Sequence, residues 1–147
     1  MIRVLLIDDH PVVRTGYKRL LLQEPGLEVV AEATNADEGY QAFQLHLPDV
    51  TVTDVSMPGM GGLSLLQKIL QRQADAKVLV CSMYDSPQLV QRALDSGARG
   101  FVSKNAEPEE LVRAVQAVFM GEQYLSHGLH TEISSGEFAL ESQRIAL

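Results

Sequence analysis

The sequence predicts an α/β fold, in which a parallel sheet is covered by helices on both faces. Two observations support this prediction. Short aliphatic runs of strand length alternate with longer stretches whose apolar residues recur at helical spacing. Gly and Pro residues stand at many of the boundaries between them. Regular alternation of strands and helices is typical of a parallel sheet with helical crossovers.

Five segments are predicted as strands because they are short and largely apolar, as buried parallel strands are. They are residues 3–7, 27–33, 50–53, 77–82 and 100–103. Strand-sized runs are also the longest apolar segments of the chain, and none approaches the roughly 20 residues that span a bilayer.

Five helices are predicted between and after these strands. Pro11 suits the first turn of the first helix, and Asn35 has capping-box spacing to Glu38 at the start of the second. Residues 63–70 carry the apolar stripe of the third helix. Ser86 is a suitable cap for the fourth helix. Pro108 is predicted to open the last helix.

Right-handed crossovers leave few arrangements of five such units. The expected fold is a flavodoxin-like, doubly wound, five-stranded parallel sheet of order 2-1-3-4-5 with five helices. Ligands of these sheets bind beyond the carboxyl ends of the strands, so that edge is where functional residues are expected.

The chain of 147 residues fits one domain with a short extension. The pattern weakens after Gly121, so we expect a domain over residues 1–121 and a linker or tail over 122–147. Residues 131–136 have linker composition, and residues 137–147 could form a short helix or be partly an end that is not native. Too few residues follow the domain to build a helix-turn-helix unit.

The charge and the single cysteine of the chain argue against several classes of function. The net charge is −7 and the cations are scattered, so we expect no direct contact of this segment with nucleic acid. A single cysteine, Cys81, lies in an apolar strand and is expected to be a buried hydrophobic residue. One thiol and no signal peptide indicate a cytoplasmic location.

Polar residues stand at the ends of four predicted strands. Asp8 and Asp9 follow the first strand, Asp54 the third, Ser82 ends the fourth and Lys104 follows the fifth. Each alone would usually be a turn residue, a cap or a solvated charge. Together, at the ligand-binding edge of one sheet, they indicate a site.

The chemistry of such a site is set by its charges. Three close carboxylates repel one another unless a cation neutralises them, and hard oxygen donors suit Mg²⁺. A cation together with Lys104 would let an anionic phosphoryl donor approach, and an aspartate could then become an acyl phosphate. Asp54 is the best candidate for that nucleophile.

These residues resemble the motif set of response regulator receiver domains, in order and at family spacing. The matching residues are Asp8-Asp9, the segment 54–62 (DVSMPGMGG), Ser82 and the segment 97–104 (GARGFVSK). The resemblance covers residues 1–121. Segments 8–11 (DDHP), 82–85 (SMYD) and 121–126 (GEQYLS) are similar to the NarL/LuxR class.

The resemblance implies a metal site and a phosphoacceptor. Asp54 would accept a phosphoryl group from a sensor histidine kinase. Asp9 and Asp54 would bind Mg²⁺ directly, the backbone carbonyl of Ser56 would be a further ligand, and Asp8 would act through a water.

The resemblance also implies roles in signalling. Lys104 would pair with the phosphoryl oxygen, and Ser82 would move to hydrogen-bond it. Phe101 stands at the aromatic switch position, but it has no hydroxyl and could instead be a core residue. Met83 is bulky, and we expect it to hinder access to the phosphoryl group and slow hydrolysis.

In this class, phosphorylation changes the surface of helix 4, strand 5 and helix 5, or that of helices 1 and 5. The implied partners are a sensor histidine kinase and a second copy of the chain in a phosphorylation-linked homodimer. DNA would be bound through a C-terminal domain that these residues do not contain, so transcription regulation is implied by the class. A receiver excised from a longer regulator and a stand-alone receiver both remain open.

Three other functions are weighed against this one. A Mg²⁺-dependent phosphohydrolase with an aspartate nucleophile typically has Asp-x-Asp after its first strand, where this chain has Asp8-Asp9. A flavodoxin-type module would need a Ser, Thr and Gly-rich phosphate loop there. A receiver that signals by protein contacts without phosphorylation would not need the full acidic set.

Overall fold

The computed structural model describes residues 1–55, 61–126 and 128–129. The strands are β1 Ile2–Ile7, β2 Leu27–Ala33, β3 Val50–Thr53, β4 Val78–Ser82, β5 Gly100–Ser103 and β6 Tyr124–Leu125. The helices are α1 Pro11–Leu22, α2 Ala36–His46, α3 Gly62–Arg72, α4 Pro87–Asp95 and α5 Glu110–Phe119. The predicted alternation of strands and helices is confirmed in these residues.

All strands are parallel and lie in the order β2-β1-β3-β4-β5-β6. The predicted order of the first five is confirmed, but the prediction of a five-stranded sheet is wrong because β6 pairs with β5. A Cβ atom at Gly100 would lie 2.7 Å from the carbonyl oxygen of Tyr124, so glycine permits this pairing. Two residues are too few to show a strand period, which is why the sequence pattern did not indicate β6.

The core has two parts, one on each face of the sheet. Alternate residues of β1 enter different parts: Leu5 and Ile7 pack with residues of α2, α3 and α4, whereas Val4 and Leu6 pack with residues of α1 and α5. The strands at the centre of the sheet are therefore buried on both sides, and their polar termini are held in fixed positions at its edge.

The predicted helix starts are largely confirmed. Asn35 Oδ1 accepts a hydrogen bond of 2.8 Å from the Glu38 N–H, and Ser86 Oγ accepts one of 3.2 Å from the N–H three residues later. The last helix differs, since α5 begins at Glu110 and Pro108 lies in the preceding turn.

The sheet extends beyond residue 121, since β6 lies at residues 124–125. The division of the chain near residue 121 stays a prediction. The expectations for residues 131–136 and 137–147 lie outside the described residues. Within the described ranges, no helix has the length and apolarity needed to cross a membrane.

Candidate functional site

Three charged residues meet at the carboxyl edge of the sheet. Asp8 follows β1, Asp54 follows β3 and Lys104 follows β5. The Asp54 N–H donates to the Ile7 carbonyl at 3.2 Å, which continues the pairing of the two strands up to the site. Asp8 and Asp54 are each only 2% exposed. The sheet itself thus fixes the positions of two buried carboxylates.

Lys104 bridges these carboxylates. Its Nζ lies 2.6 Å from Asp8 Oδ2 and 2.6 Å from Asp54 Oδ2. Burial by itself would lower the pKa of Lys104, but hydrogen bonds and charges from Asp54 and Asp8 outweigh burial and raise that pKa. Lys104 is therefore an ammonium at neutral pH, and its charge offsets part of the negative charge of the pair.

A second group of donors lies on the other side of Asp8. His10 Nδ1 is 3.1 Å from Asp8 Oδ1 and 3.2 Å from Asp9 Oδ1, and 3.9 Å from Asp54 Oδ2. One ligand atom from each of these four residues lies within 4.8 Å of all the others. Asp9 Oδ1 is buried and accepts no hydrogen bond within the described part of the chain. A buried carboxylate oxygen needs a partner, so this donor set fits a divalent cation.

Local contacts hold the connection between β1 and α1. Arg14 Nη1 donates to the Asp8 carbonyl oxygen at 2.6 Å, and Arg14 Nε lies 3.3 Å from Glu32 Oε1 on β2. On the opposite side, a side chain at Gly62 would collide with the Asp54 carbonyl oxygen. Glycine at that position lets α3 begin directly against the site.

The structure brings together most of the residues predicted for the site. Asp8, Asp9, Asp54 and Lys104 lie close to one another, as expected from the strand ends. Ser82 is buried at the end of β4, where its Oγ accepts a hydrogen bond of 3.0 Å from the Tyr84 N–H. The metal-ligand prediction for the residue at position 56 lies outside the described residues.

The side chain at the predicted switch position lies inside the protein. Phe101 is 0% exposed and belongs to the same part of the core as Leu5 and Ile7. In this conformation it is a core residue. Any switching role would require it to leave a closely packed environment.

Sequence reasoning missed a hydrogen-bonded group beside Lys104. Ser103 Oγ donates to Asp85 Oδ2 at 3.1 Å, and the Asn105 N–H donates to Ser103 Oγ at 3.1 Å. The Ser103 N–H donates to Ser126 Oγ at 3.0 Å. These contacts connect the loop after β4 to the residue that follows β6. No local pattern indicates the contacts of Ser103 with Asp85 and Ser126, because these partners are 18 and 23 residues away.

His10 is a further member of the site that sequence reasoning missed, since it stood out only as part of the motif Asp-Asp-His-Pro. The available signal was its place directly after the acidic pair, where a side chain can reach the same edge of the sheet.

The prediction for Cys81 is confirmed. The thiol is 2% exposed and lies 3.5 Å from the Tyr17 hydroxyl. Burial raises the pKa of the Cys81 thiol to about 12, so it is a neutral thiol rather than a reactive thiolate.

Comparisons with known proteins identify the family of the chain. The family model described as the response regulator receiver domain matches residues 4–116. The chain is 39% identical over 142 residues to the oxygen regulatory protein NreC of Staphylococcus epidermidis, covering 96% of this chain and 65% of that protein.

Two solved structures are similar over most of the chain. One is a LuxR-family two-component response regulator from Aurantimonas sp. SI85-9A1, with TM-score 0.83, 36% identity and coverage of 97% of this chain and 98% of that chain. The other is the isolated receiver domain of RcsB from Salmonella enterica serovar Typhimurium in the presence of the phosphomimetic BeF₃⁻. Its TM-score is 0.79, with 27% identity and coverage of 86% of this chain and 94% of that chain.

The matches cover most of this chain but only part of its curated relatives. The chain spans 64–65% of the length of the curated relatives that it matches, whereas the receiver model matches most of the chain. The chain belongs to the response regulator receiver family, in the NarL/LuxR class of two-component regulators.

Proposed function

We propose that Asp54 accepts a phosphoryl group from the phosphohistidine of a sensor histidine kinase. One observation carries this proposal: the buried Asp54 carboxylate contacts the Lys104 ammonium and also belongs to a donor set that fits a divalent cation. A nucleophilic carboxylate needs positive charge nearby, because both it and the incoming phosphoryl group are anionic.

The reaction transfers a phosphoryl group from a histidine nitrogen of the kinase to an oxygen of Asp54. An oxygen of Asp54 forms a bond to phosphorus, and the bond from phosphorus to the histidine nitrogen breaks with its electron pair going to the imidazole. Lys104 is placed to pair with a phosphoryl oxygen, since its Nζ lies 2.6 Å from Asp54 Oδ2. The chain would act as an acceptor that also hydrolyses its own acyl phosphate, rather than as a multiple-turnover enzyme.

The proposal includes Mg²⁺ as the cofactor. Asp9 and Asp54 would bind it directly, with the Ser56 carbonyl as a further ligand and Asp8 acting through a water. When bound, this cation neutralises charge on the carboxylates and on the transferring group. Asp9 is the residue of this set whose buried oxygen most needs such a partner.

The signal would travel through the loop after β4. Ser82 would exchange its bond from the Tyr84 N–H for one to the phosphoryl group, which would move that loop and α4. The surface of α4, β5 and α5 would then favour a homodimer. DNA would be bound by a domain that follows the receiver unit of residues 1–121, and a cytoplasmic location is part of the same proposal.

The test is labelling with radioactive acetyl phosphate in the presence and absence of Mg²⁺. We expect one acid-stable, base-labile phosphoryl group per chain, formed only with Mg²⁺ and lost in Asp54→Asn. Label that persists in Asp54→Asn would contradict the proposal. Steady release of phosphate over many turnovers would instead indicate a phosphohydrolase.

A further inference from the structure

Arg14 contacts the backbone between the two aspartates that follow β1. It lies near the start of α1, and its Nη1 donates to the Asp8 carbonyl oxygen at 2.6 Å. That oxygen belongs to the peptide group that joins Asp8 to Asp9. Because a peptide group is planar, a contact that holds its oxygen sets the direction in which the chain leaves Asp8, and with it the position of Asp9.

The side chain of Asp8 is held by other groups. Its Oδ1 accepts a hydrogen bond of 2.9 Å from the His10 N–H, and its Oδ2 lies 2.6 Å from Lys104 Nζ. These two contacts orient the Asp8 carboxylate. The contact from Arg14 differs from them because it acts on the peptide group that leads to Asp9, and so it bears on both aspartates at once.

The guanidinium of Arg14 is itself fixed by a carboxylate on β2. Arg14 Nε lies 3.3 Å from Glu32 Oε1, and Lys18 Nζ lies 2.7 Å from Glu32 Oε2. Glu32 pairs in register with Leu6, close to the end of β1. A guanidinium presents its N–H groups in a rigid planar fork, so one side chain can contact the carboxylate and the Asp8 carbonyl together. The Arg14 side chain is only 16% exposed, which favours this single arrangement.

Arg14 has two opposing effects on a cation bound by the aspartates. Its positive charge repels the cation and would weaken binding. Its hold on the peptide group favours binding, because ligands that are already in place lose less freedom when the cation arrives. Glu32 offsets part of the repulsion, since its carboxylate lies against the guanidinium. The sign of the change on removing Arg14 therefore shows which effect is larger.

We propose that Arg14 is a positioning residue for the cation site, which acts through the Asp8 carbonyl to hold Asp8 and Asp9 in place for Mg²⁺. This inference rests on the proposed function, in which both aspartates take part in binding that ion. Groups that orient metal ligands typically contribute about tenfold or more to metal affinity. Because Arg14 acts on the ligands rather than on the phosphoryl group, it should change the Mg²⁺ concentration that phosphorylation needs and not the rate at saturation.

The test is calorimetric titration of Mg²⁺ into the 147-residue chain. We expect Arg14→Met to weaken Mg²⁺ binding about tenfold, although it removes a repelling charge. Lys18→Met removes the other cation that contacts Glu32, and as the matched control it should stay within about twofold of the wild type. At saturating Mg²⁺, acetyl phosphate should label Arg14→Met at a rate within about twofold of the wild-type rate.

Arg14→Lys is a second variant, which keeps the positive charge but lacks the planar fork. It should bind Mg²⁺ about threefold more weakly than the wild type, because one ammonium cannot reproduce both contacts of the guanidinium. This variant keeps the inference testable should Arg14→Met fail to fold. Wild-type affinity in Arg14→Lys would then contradict the need for the fork.

The outcomes separate this inference from the proposed function. Unchanged or tighter Mg²⁺ binding in Arg14→Met would overturn the positioning role, and so would an equal loss in Lys18→Met or a slow labelling rate that excess Mg²⁺ does not restore. If Asp9→Asn loses Mg²⁺ affinity while Arg14→Met keeps it, the cation site stands and the positioning role alone is wrong. Failure of the wild type to bind Mg²⁺, or wild-type affinity in Asp9→Asn, would overturn both.

Discussion

Lys104 Nζ lies 2.6 Å from Asp54 Oδ2, although the two residues are 50 positions apart in the chain. The same nitrogen contacts Asp8 Oδ2 at 2.6 Å, and the side chains of all three residues are at most 4% exposed. One ammonium thus holds two buried carboxylates together at the end of the sheet. Removing it would take away the positive charge that the two carboxylates share.

Lys104→Met is accordingly expected to lower the free energy of unfolding by about 3 kcal/mol, since loss of one partner leaves buried charge uncompensated. Urea denaturation without divalent cations measures this. The matched control is Lys18→Met, which removes a more exposed ion pair with Glu32 and should cost under about 1 kcal/mol. Similar losses in the two variants would contradict a special role for the buried pair.

Ser126→Ala should destabilise the protein by about 1–3 kcal/mol, because the buried Ser103 N–H would lose its acceptor. Thermal or urea denaturation measures the change. Ser64→Ala, at an exposed position of α3, provides the comparison and should be nearly neutral. A neutral Ser126→Ala would mean that water replaces the lost hydroxyl.

Met83→Ala is predicted to shorten the lifetime of the acyl phosphate at Asp54. Met83 is next to Ser82 and 51% exposed, so its side chain can cover the phosphoryl group from water. We expect a half-life about threefold shorter, equal to roughly 0.6 kcal/mol of barrier, measured by loss of label after removal of the donor. Met120→Ala, which changes a residue that is 72% exposed at the C-terminal end of α5, should leave the half-life unchanged. An unchanged half-life in Met83→Ala would refute this role.

Cys81 should resist alkylation in the folded protein. Burial raises the pKa of its thiol to about 12, so almost no thiolate exists near neutral pH. Iodoacetamide should modify it rapidly only in denaturant, with the kinetics followed by mass spectrometry. Fast modification of the native chain would contradict the buried position.

The raised pKa of Cys81 also has a consequence for stability. The folded state keeps the thiol proton at pH values where the unfolded state loses it, so the free energy of unfolding should decline as pH rises from about 9 towards 12. Comparison with Cys81→Ala isolates this contribution, because that variant should show a shallower decline. Parallel pH profiles would show that the thiol does not contribute.

Much of the fold could be predicted because its signals are local. The predicted spans of β2, β3 and β5 agree with the observed strands, since short apolar runs between turn residues are complete within a few positions. The start of α5 was less well predicted. Pro108 is compatible with a first helical turn, yet here it lies in a turn before Glu110.

The site likewise has residues that could be predicted from local signals and residues that could not. Asp8, Asp9, Asp54 and Lys104 could be assigned to one edge from strand ends alone, because parallel strands end on the same side. His10 could not be ranked above an ordinary motif residue, since its importance depends on distances to three carboxylates. The residue that ends β4 was expected at the edge, but its acceptor role towards the Tyr84 N–H depends on the conformation of the loop.

The alternation of strands and helices, the order of the first five strands and the set of charged residues at their ends could all be predicted from the sequence. These depend on apolar periodicity and on the handedness of crossovers, which act over short stretches of chain. Four features became visible only in the folded chain: the bridge made by Lys104, the addition of β6 to the sheet, the burial of Phe101 and the approach of His10 to the acidic pair. Those depend on strand register and on packing between residues far apart in the chain, which no local pattern encodes.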